Sequence, residues 1–284
     1  MYTIQGNRPL NPVTFIVLKT LHEIAAKETT SYFLIGATAR DILMTHVFGI
    51  DAGRATRDVD FAIALEDWSQ FETIKQAFID SGNFRGATNE AHRLFYQPDT
   101  YKTAYPLDLI PFGKIASSKN TIAWPPDMAT VMNVAGYTEA LEHALQVDVG
   151  GGLVVNVVSI PALAALKILA WSDRGMEDNR DAQDFLFLLR HYHEAGNIDR
   201  VYEDTLSVME SCGYQIELAG AALLGYDTGL ILEQDARQAV LAVLESAIKR
   251  DRLVVHMGRA LNIDSSVPAG FVDQFERGLR LAVK

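Results

Sequence analysis

The chain has 284 residues, 49% of them hydrophobic and 21% charged, and a net charge of −11. That length suits one large domain or two smaller ones, and the composition excludes a disordered or fibrous protein. The single cysteine, Cys212, excludes an internal disulfide, and no apolar stretch approaches the roughly 20 residues of a membrane span, so the expectation is a cytoplasmic protein with no membrane partner. Residues 1–160 carry 12 basic and 17 acidic side chains and residues 161–284 carry 13 and 19, so neither half has the basic surface of a constitutive nucleic-acid binder.

In chain order, apolar residues at helical spacing over 12–28 predict an amphipathic helix, and the short run 31–35 predicts a strand that stops at Gly36. Residues 37–47 return to helical composition and 51–56 read as a loop; 58–65 is a second strand and 68–81 a helix ending at Gly82. Strands are expected at 92–97 and 107–112, a short helix at 138–145, and a hairpin formed by 146–149 and 153–159 around Gly150, Gly151 and Gly152. From Pro161 onward the pattern is helical, over 161–173, 180–192, 200–211, 216–224, 234–249 and 268–282. The expected organisation is an α/β (α+β) domain with a mixed sheet at 1–158 and an all-helical domain at 159–284.

In the segment RDVDFAIAL, strand alternation sends Asp58 and Asp60 to one face and Val59, Phe61 and Ile63 to the other. Two half-buried carboxylates side by side repel unless a cation joins them, and a hard divalent ion with oxygen ligands is the natural partner. An isolated Asp-x-Asp is more often a solvated pair on an edge strand, and here the context decides. Upstream, a strand ends at Gly36 and opens a helix whose first N–H groups can face a phosphate; downstream, Asp108 interrupts the apolar strand PLDLIPF. A phosphate-facing helix start, a paired Asp and a lone Asp on a later strand make up the layout of two-metal phosphoryl chemistry.

On these residues the chain resembles the DNA polymerase β nucleotidyltransferase superfamily, whose head domains carry a hydrophobic residue, Gly and a small residue, a helix, Asp-x-Asp and a distant third Asp. The matching positions are Ile35, Gly36, Ala37, Asp58, Asp60 and Asp108. Gly36, Ala37, Ala39, Arg40 and Asp41 are also similar to the Gly-Gly-x-x-Arg-Asp pattern of CCA-adding enzymes and poly(A) polymerases. More narrowly, Lys167 followed by Arg180, Asp181, Asp184 and Phe185 resembles the abortive-infection AbiE-type toxin nucleotidyltransferases, and the resemblance spans roughly residues 30–190. Two features depart from the pattern: Ala37 stands where Gly or Ser is usual, and 20 residues separate Ala37 from Asp58, which implies an extended helix and loop.

The resemblance implies a nucleotidyltransferase that moves a nucleoside monophosphate from an NTP to an acceptor hydroxyl. It implies magnesium or manganese on Asp58, Asp60 and Asp108, and NTP contacts from Gly36, Ala37, Arg40, Lys167 and Arg180, with Asp181 orienting Lys167 or Arg180 and the cleft lying between the domains. Arg40 has a second reading, as the partner of Asp41 or Asp58. The charged stretch from Lys167 to Asp181 has one too, as a solvated face joining two helices. The implied acceptor is RNA, the tRNA 3′ end, in a toxin with a cognate antitoxin. A protein side chain or a small molecule is the alternative acceptor, and a non-catalytic nucleotide-binding module is the alternative class.

Overall fold

The computed structural model describes residues 1–284 except 54–55, 57, 89, 99–102, 175–178, 205–208, 211–212, 260–262 and 283–284; Arg54, Arg57, Gly175, Asp178 and Cys212 therefore lie outside the described residues. The chain forms two compact units, Met1–Val158 and Ser159–Lys284. Among the described residues no helix is long and apolar enough to cross a membrane.

The first unit is built on strands β1 (Tyr2–Thr3), β2 (Tyr32–Ile35), β3 (Val59–Ala64), β4 (Phe84–Gly86), β5 (Arg93–Tyr96) and β6 (Tyr105–Phe112), with β7 (Thr121–Ala123), β8 (Val131–Asn133), β9 (Leu145–Asp148) and β10 (Val154–Val157) following. Eight of them form one mixed sheet in the order β1-β9-β10-β2-β3-β6-β5-β4, while β7 and β8 pair separately. β3 lies antiparallel to β2 and parallel to β6, so both of its edges are hydrogen-bonded. Such a strand reads as a near-continuous apolar run, and Val59, Phe61, Ala62 and Ile63 are buried.

Two helices cover one face of this sheet. Helix α1 (Pro12–Lys27) starts where the Asn11 side chain accepts the Val13 N–H, has Pro in its first turn, and buries Val13, Val17, Leu18, Leu21, Ile24 and Ala25. Its His22 ring meets Tyr32, which meets Phe61 edge-on. Helix α3 (Trp68–Asp80), capped by Asp67, packs Phe78 against Phe84 of β4 and Phe71 against Trp124. On the opposite face, helix α4 (Tyr137–Glu142) sets Tyr137 against Phe33 and Phe112, which leaves the end of that face nearer Asp60 to polar residues.

Between β2 and β3, helix α2 (Gly36–Asp41) runs on as a π-helix over Ile42–Val47. The expected extension of helix and loop takes this form, a widened helical stretch of the kind often found beside functional sites. Short strands at 2–3, 84–86, 121–123 and 131–133 were not expected from the sequence, because two or three residues give no alternation to read.

The second unit is helical: α5 (Ile160–Arg174), α6 (Arg180–His191), α7 (Ile198–Asp204), α8 (Ile216–Ile231), α9 (Gln234–Glu245), α10 (Ala247–Arg259) and α11 (Ser266–Leu281). Two expectations are corrected here. The single helix expected at 234–249 is two helices, broken at Ser246, whose backbone is extended. The helix expected at 216–224 runs to Ile231 through Gly225 and Gly229, which read as breakers in sequence but are contact points in space. A Cβ on Gly225 would overlap the Phe275 carbonyl oxygen, and one on Gly229 would lie 2.9 Å from that of Leu279, so α8 and α11 cross backbone to backbone.

Gly278 makes the reciprocal contact: a Cβ there would overlap the Ala222 carbonyl oxygen and stand 2.7 Å from the Tyr226 nitrogen. Alanine at a helix interior normally gains about 1 kcal/mol over glycine. Here the obstacle is another backbone that cannot rotate away, so Gly278→Ala is expected to lower stability by about 1–3 kcal/mol in urea unfolding, with the sign opposite to helix propensity.

Candidate active site

Strand register builds the site. Ile35 pairs with Asp60, Asp60 with Asp108, and Asp108 with Arg93, giving one row across β2, β3, β6 and β5. Register partners share a face and neighbouring strands lie about 4.8 Å apart, so Asp60, Asp108 and Arg93 project side by side. Leu34, Phe61 and Leu109, one residue along each strand, form a second row that is buried on the other face. Asp58 immediately precedes β3, two residues before Asp60 and so on the same side, and its carbonyl oxygen accepts the Thr38 hydroxyl at 2.6 Å, tying α2 to the foot of β3.

Gly36 joins β2 to α2 with φ +69°, and a Cβ there would overlap the Asp60 carboxylate. Only glycine meets both requirements, left-handed backbone and room for Asp60. Ala37 follows in the first turn of α2, where helix N–H groups have no acceptor within the helix. Arg40 is 2% exposed, and its Nε and Nη2 donate to Asp41 at 2.9 and 2.5 Å. These two nitrogens of its fork are turned to one Asp41 oxygen.

Arg93 closes the row. Nε and Nη2 donate to the two oxygens of Asp108, each at 2.8 Å, and Nη1 donates to Glu90 at 2.8 and 3.1 Å. The guanidinium pKa is raised, chiefly by the hydrogen bonds to Asp108 and against the effect of burial, with the charges of Asp108, Glu90 and Asp58 adding to it. What the sequence does not show is that the partner of Arg93 across the strands is Asp108, because register is invisible until β5 and β6 are paired.

The donor chemistry of Asp58, Asp60 and Asp108 suits a hard divalent cation, and each Asp108 oxygen bonded by Arg93 keeps a further lone pair. Among the described residues no three His, Cys, Asp or Glu side chains already converge into a ligand cage; the sheet sets Asp60 beside Asp108 with Asp58 nearby.

In the helical unit the structure brings Lys167, Arg174 and Asp181 together and adds Asp184. Lys167 Nζ lies 2.8 Å from both Asp181 and Asp184, and Arg174 Nε lies 2.9 Å from the other Asp181 oxygen. Burial disfavours the charged forms, yet the opposite charges outweigh it, so the Lys167 pKa is raised and that of Asp181 falls well below the usual carboxylate range. The Lys167 side chain is only 7% exposed, inside this ion cluster. Asp184, named in the motif without a role, had a legible signal: it stands three residues after Asp181, on the same helical face. Arg180 is exposed at the start of α6.

No curated protein matches the chain. Three solved structures share parts of its path: an antigenic nucleotidyltransferase-like protein from Paracoccidioides brasiliensis (13% identity, TM-score 0.41, covering 74% of this chain and 94% of that one), the antibiotic-resistance factor ANT(2'')-Ia (10%, 0.35, 72% and 99%) and a CCA-adding enzyme with CTP (12%, 0.33, 93% and 79%). Residues 21–251 match the family described as nucleotidyl transferase AbiEii toxin, Type IV TA system, so the chain belongs to that family and is a nucleotidyltransferase.

Proposed function

We propose that the chain transfers a nucleoside monophosphate from an NTP to a hydroxyl of RNA, the tRNA 3′ end, in a divalent-metal-dependent reaction, and that it acts as a toxin restrained by a cognate antitoxin. The observation that carries the chemistry is the register row that sets Asp60 beside Asp108 over Gly36. The family supports NMP transfer and an antitoxin partner.

In this reading Asp58, Asp60 and Asp108 would hold magnesium or manganese. Such ions supply a lowered pKa at the acceptor hydroxyl and neutralise charge on the triphosphate. The hydroxyl gives up its proton to solvent, and its oxygen forms a bond to the α-phosphorus as the bond to pyrophosphate breaks. Gly36 lets the Asp60 carboxylate stand against the backbone, and the N–H groups of Gly36 and Ala37 face the triphosphate. Lys167, held by Asp181 and Asp184, and Arg180 are the helical unit's proposed catalytic and nucleotide-binding cations. Arg40, bonded to the neighbouring Asp41, adds a positive charge to α2 behind the N–H groups at its start.

The test is incubation of the purified chain with each labelled NTP, magnesium and total cell RNA or protein. Label is expected on RNA, with transfer falling steeply as salt rises, because a chain of net charge −11 must gather its cations locally to hold a polyanion. Label on protein or a small molecule and never on RNA would remove the RNA acceptor and leave the nucleotidyltransferase standing.

A further inference from the structure

Asp60 and Asp108 stand side by side on one sheet face with Asp58 nearby, like charges that repel, and the structure already sets a cation against them. Arg93 takes both oxygens of Asp108 with a fork of two 2.8 Å bonds, and the negative charge of Asp58 also acts on it. Its third nitrogen is tied to Glu90, a half-exposed carboxylate outside the row, which would hold the guanidinium nearby if Asp108 were released. Arg93 is 28% exposed and Asp108 13%, so the arginine is the more solvent-accessible member of the pair.

We propose that Arg93 is the built-in counter-cation of the aspartate cluster, satisfying Asp108 until a divalent ion arrives and competing with that ion for the same carboxylate. The inference rests on the metal-dependent reading above and adds to it an exchange: the ion binds as the guanidinium withdraws toward Glu90. A full positive charge bonded to a ligand opposes a second cation on that ligand, and the opposition disappears when the first charge is removed. Arg93 thus sets how much metal, and how much accompanying triphosphate, the site needs before it is competent.

The test is Mn²⁺ binding by calorimetry to the purified full chain, without NTP, in the wild type, Arg93→Gln and Arg93→Lys, each checked for folding by circular dichroism. Arg93→Gln is expected to tighten binding by about tenfold or more. Arg93→Lys should tighten it less, because one ammonium cannot take both Asp108 oxygens. In an Asp108→Asn background the gain should vanish. Unchanged or weaker binding in folded Arg93→Gln overturns the inference while leaving metal dependence intact. If Arg93→Gln fails to fold, Arg93→Lys decides, and affinity no higher than the wild type overturns it. Absence of Mn²⁺ binding in wild type and variants alike removes the metal reading and this inference together.

Discussion

Asp60→Asn is expected to lower NMP transfer by about 10³-fold or more, the scale on which loss of one group that stabilises transition-state charge is felt. Asp60 stands at the centre of the row, between Ile35 and Asp108, with Gly36 kept free of a side chain beneath it. Asparagine keeps the shape and removes the charge. Mutual repulsion among the carboxylates falls, so the melting temperature should hold or rise slightly even as activity disappears. Asp58→Ala and Asp108→Ala should behave alike in transfer, with Asp108→Ala the least stable of the three because it leaves Arg93 without its principal partner. Full activity in all three variants would remove the proposed site; loss of folding in Asp60→Asn would make the row structural.

The second large effect is on stability. Lys167→Ala is expected to cost about 3–5 kcal/mol, because it takes from Asp181 and Asp184, both buried in the helical core, the ammonium that lies 2.8 Å from each. The sign of its pH dependence follows from the shifts. Asp181 has a lowered folded pKa, so its contribution is present above the unfolded value of about 3.9 and lost as pH falls through the folded one. Lys167 has a raised folded pKa, so its contribution is present below about 10.4 and lost only as pH rises through the folded value. Wild type should therefore keep this contribution from about pH 4 to beyond pH 10. In Lys167→Ala an uncompensated buried carboxylate can relieve itself by taking a proton, so the deficit measured in urea should shrink between pH 8 and pH 5. Since Lys167 is also proposed to meet the triphosphate, Asp184→Asn separates the roles: it should cost stability while leaving most of the transfer rate. A deficit that stays constant with pH would argue against a charge-based cluster.

Much of this was legible in the sequence where a single element carries its own signal. The alternation around Asp58 and Asp60, the stop at Gly36 and the apolar flanks of Asp108 each lie within a short segment, and the pairing of β3 with β6 sets Asp60 against Asp108. What escaped is pairwise: the grip of Arg93 on Asp108, its bonds to Glu90, and the closeness of α8 to α11 at Gly225 and Gly278. These depend on which elements become neighbours. Gly225 shows the cost of local reading most clearly, since a glycine that suggests a helix end on propensity alone is in fact what lets a second helix approach.

The row of partners also subjects the chemistry to a rule of parity. Side chains alternate along a strand, so sliding β6 by one residue against β3 would carry Asp108 to the buried face and bring Leu107 or Leu109 beside Asp60. Sliding it by two would keep Asp108 on the proper side but opposite Asp58 or Ala62. The connection between β5 and β6 can thus change length freely only where β5 and β6 keep their pairing, in which Arg93 and Asp108 stand opposite each other. The Arg93 fork then acts as a register pin: an odd slip of β6 would part Asp108 from the two nitrogens that bond it as well as move a ligand, so the arrangement that completes the site is also one the sheet favours.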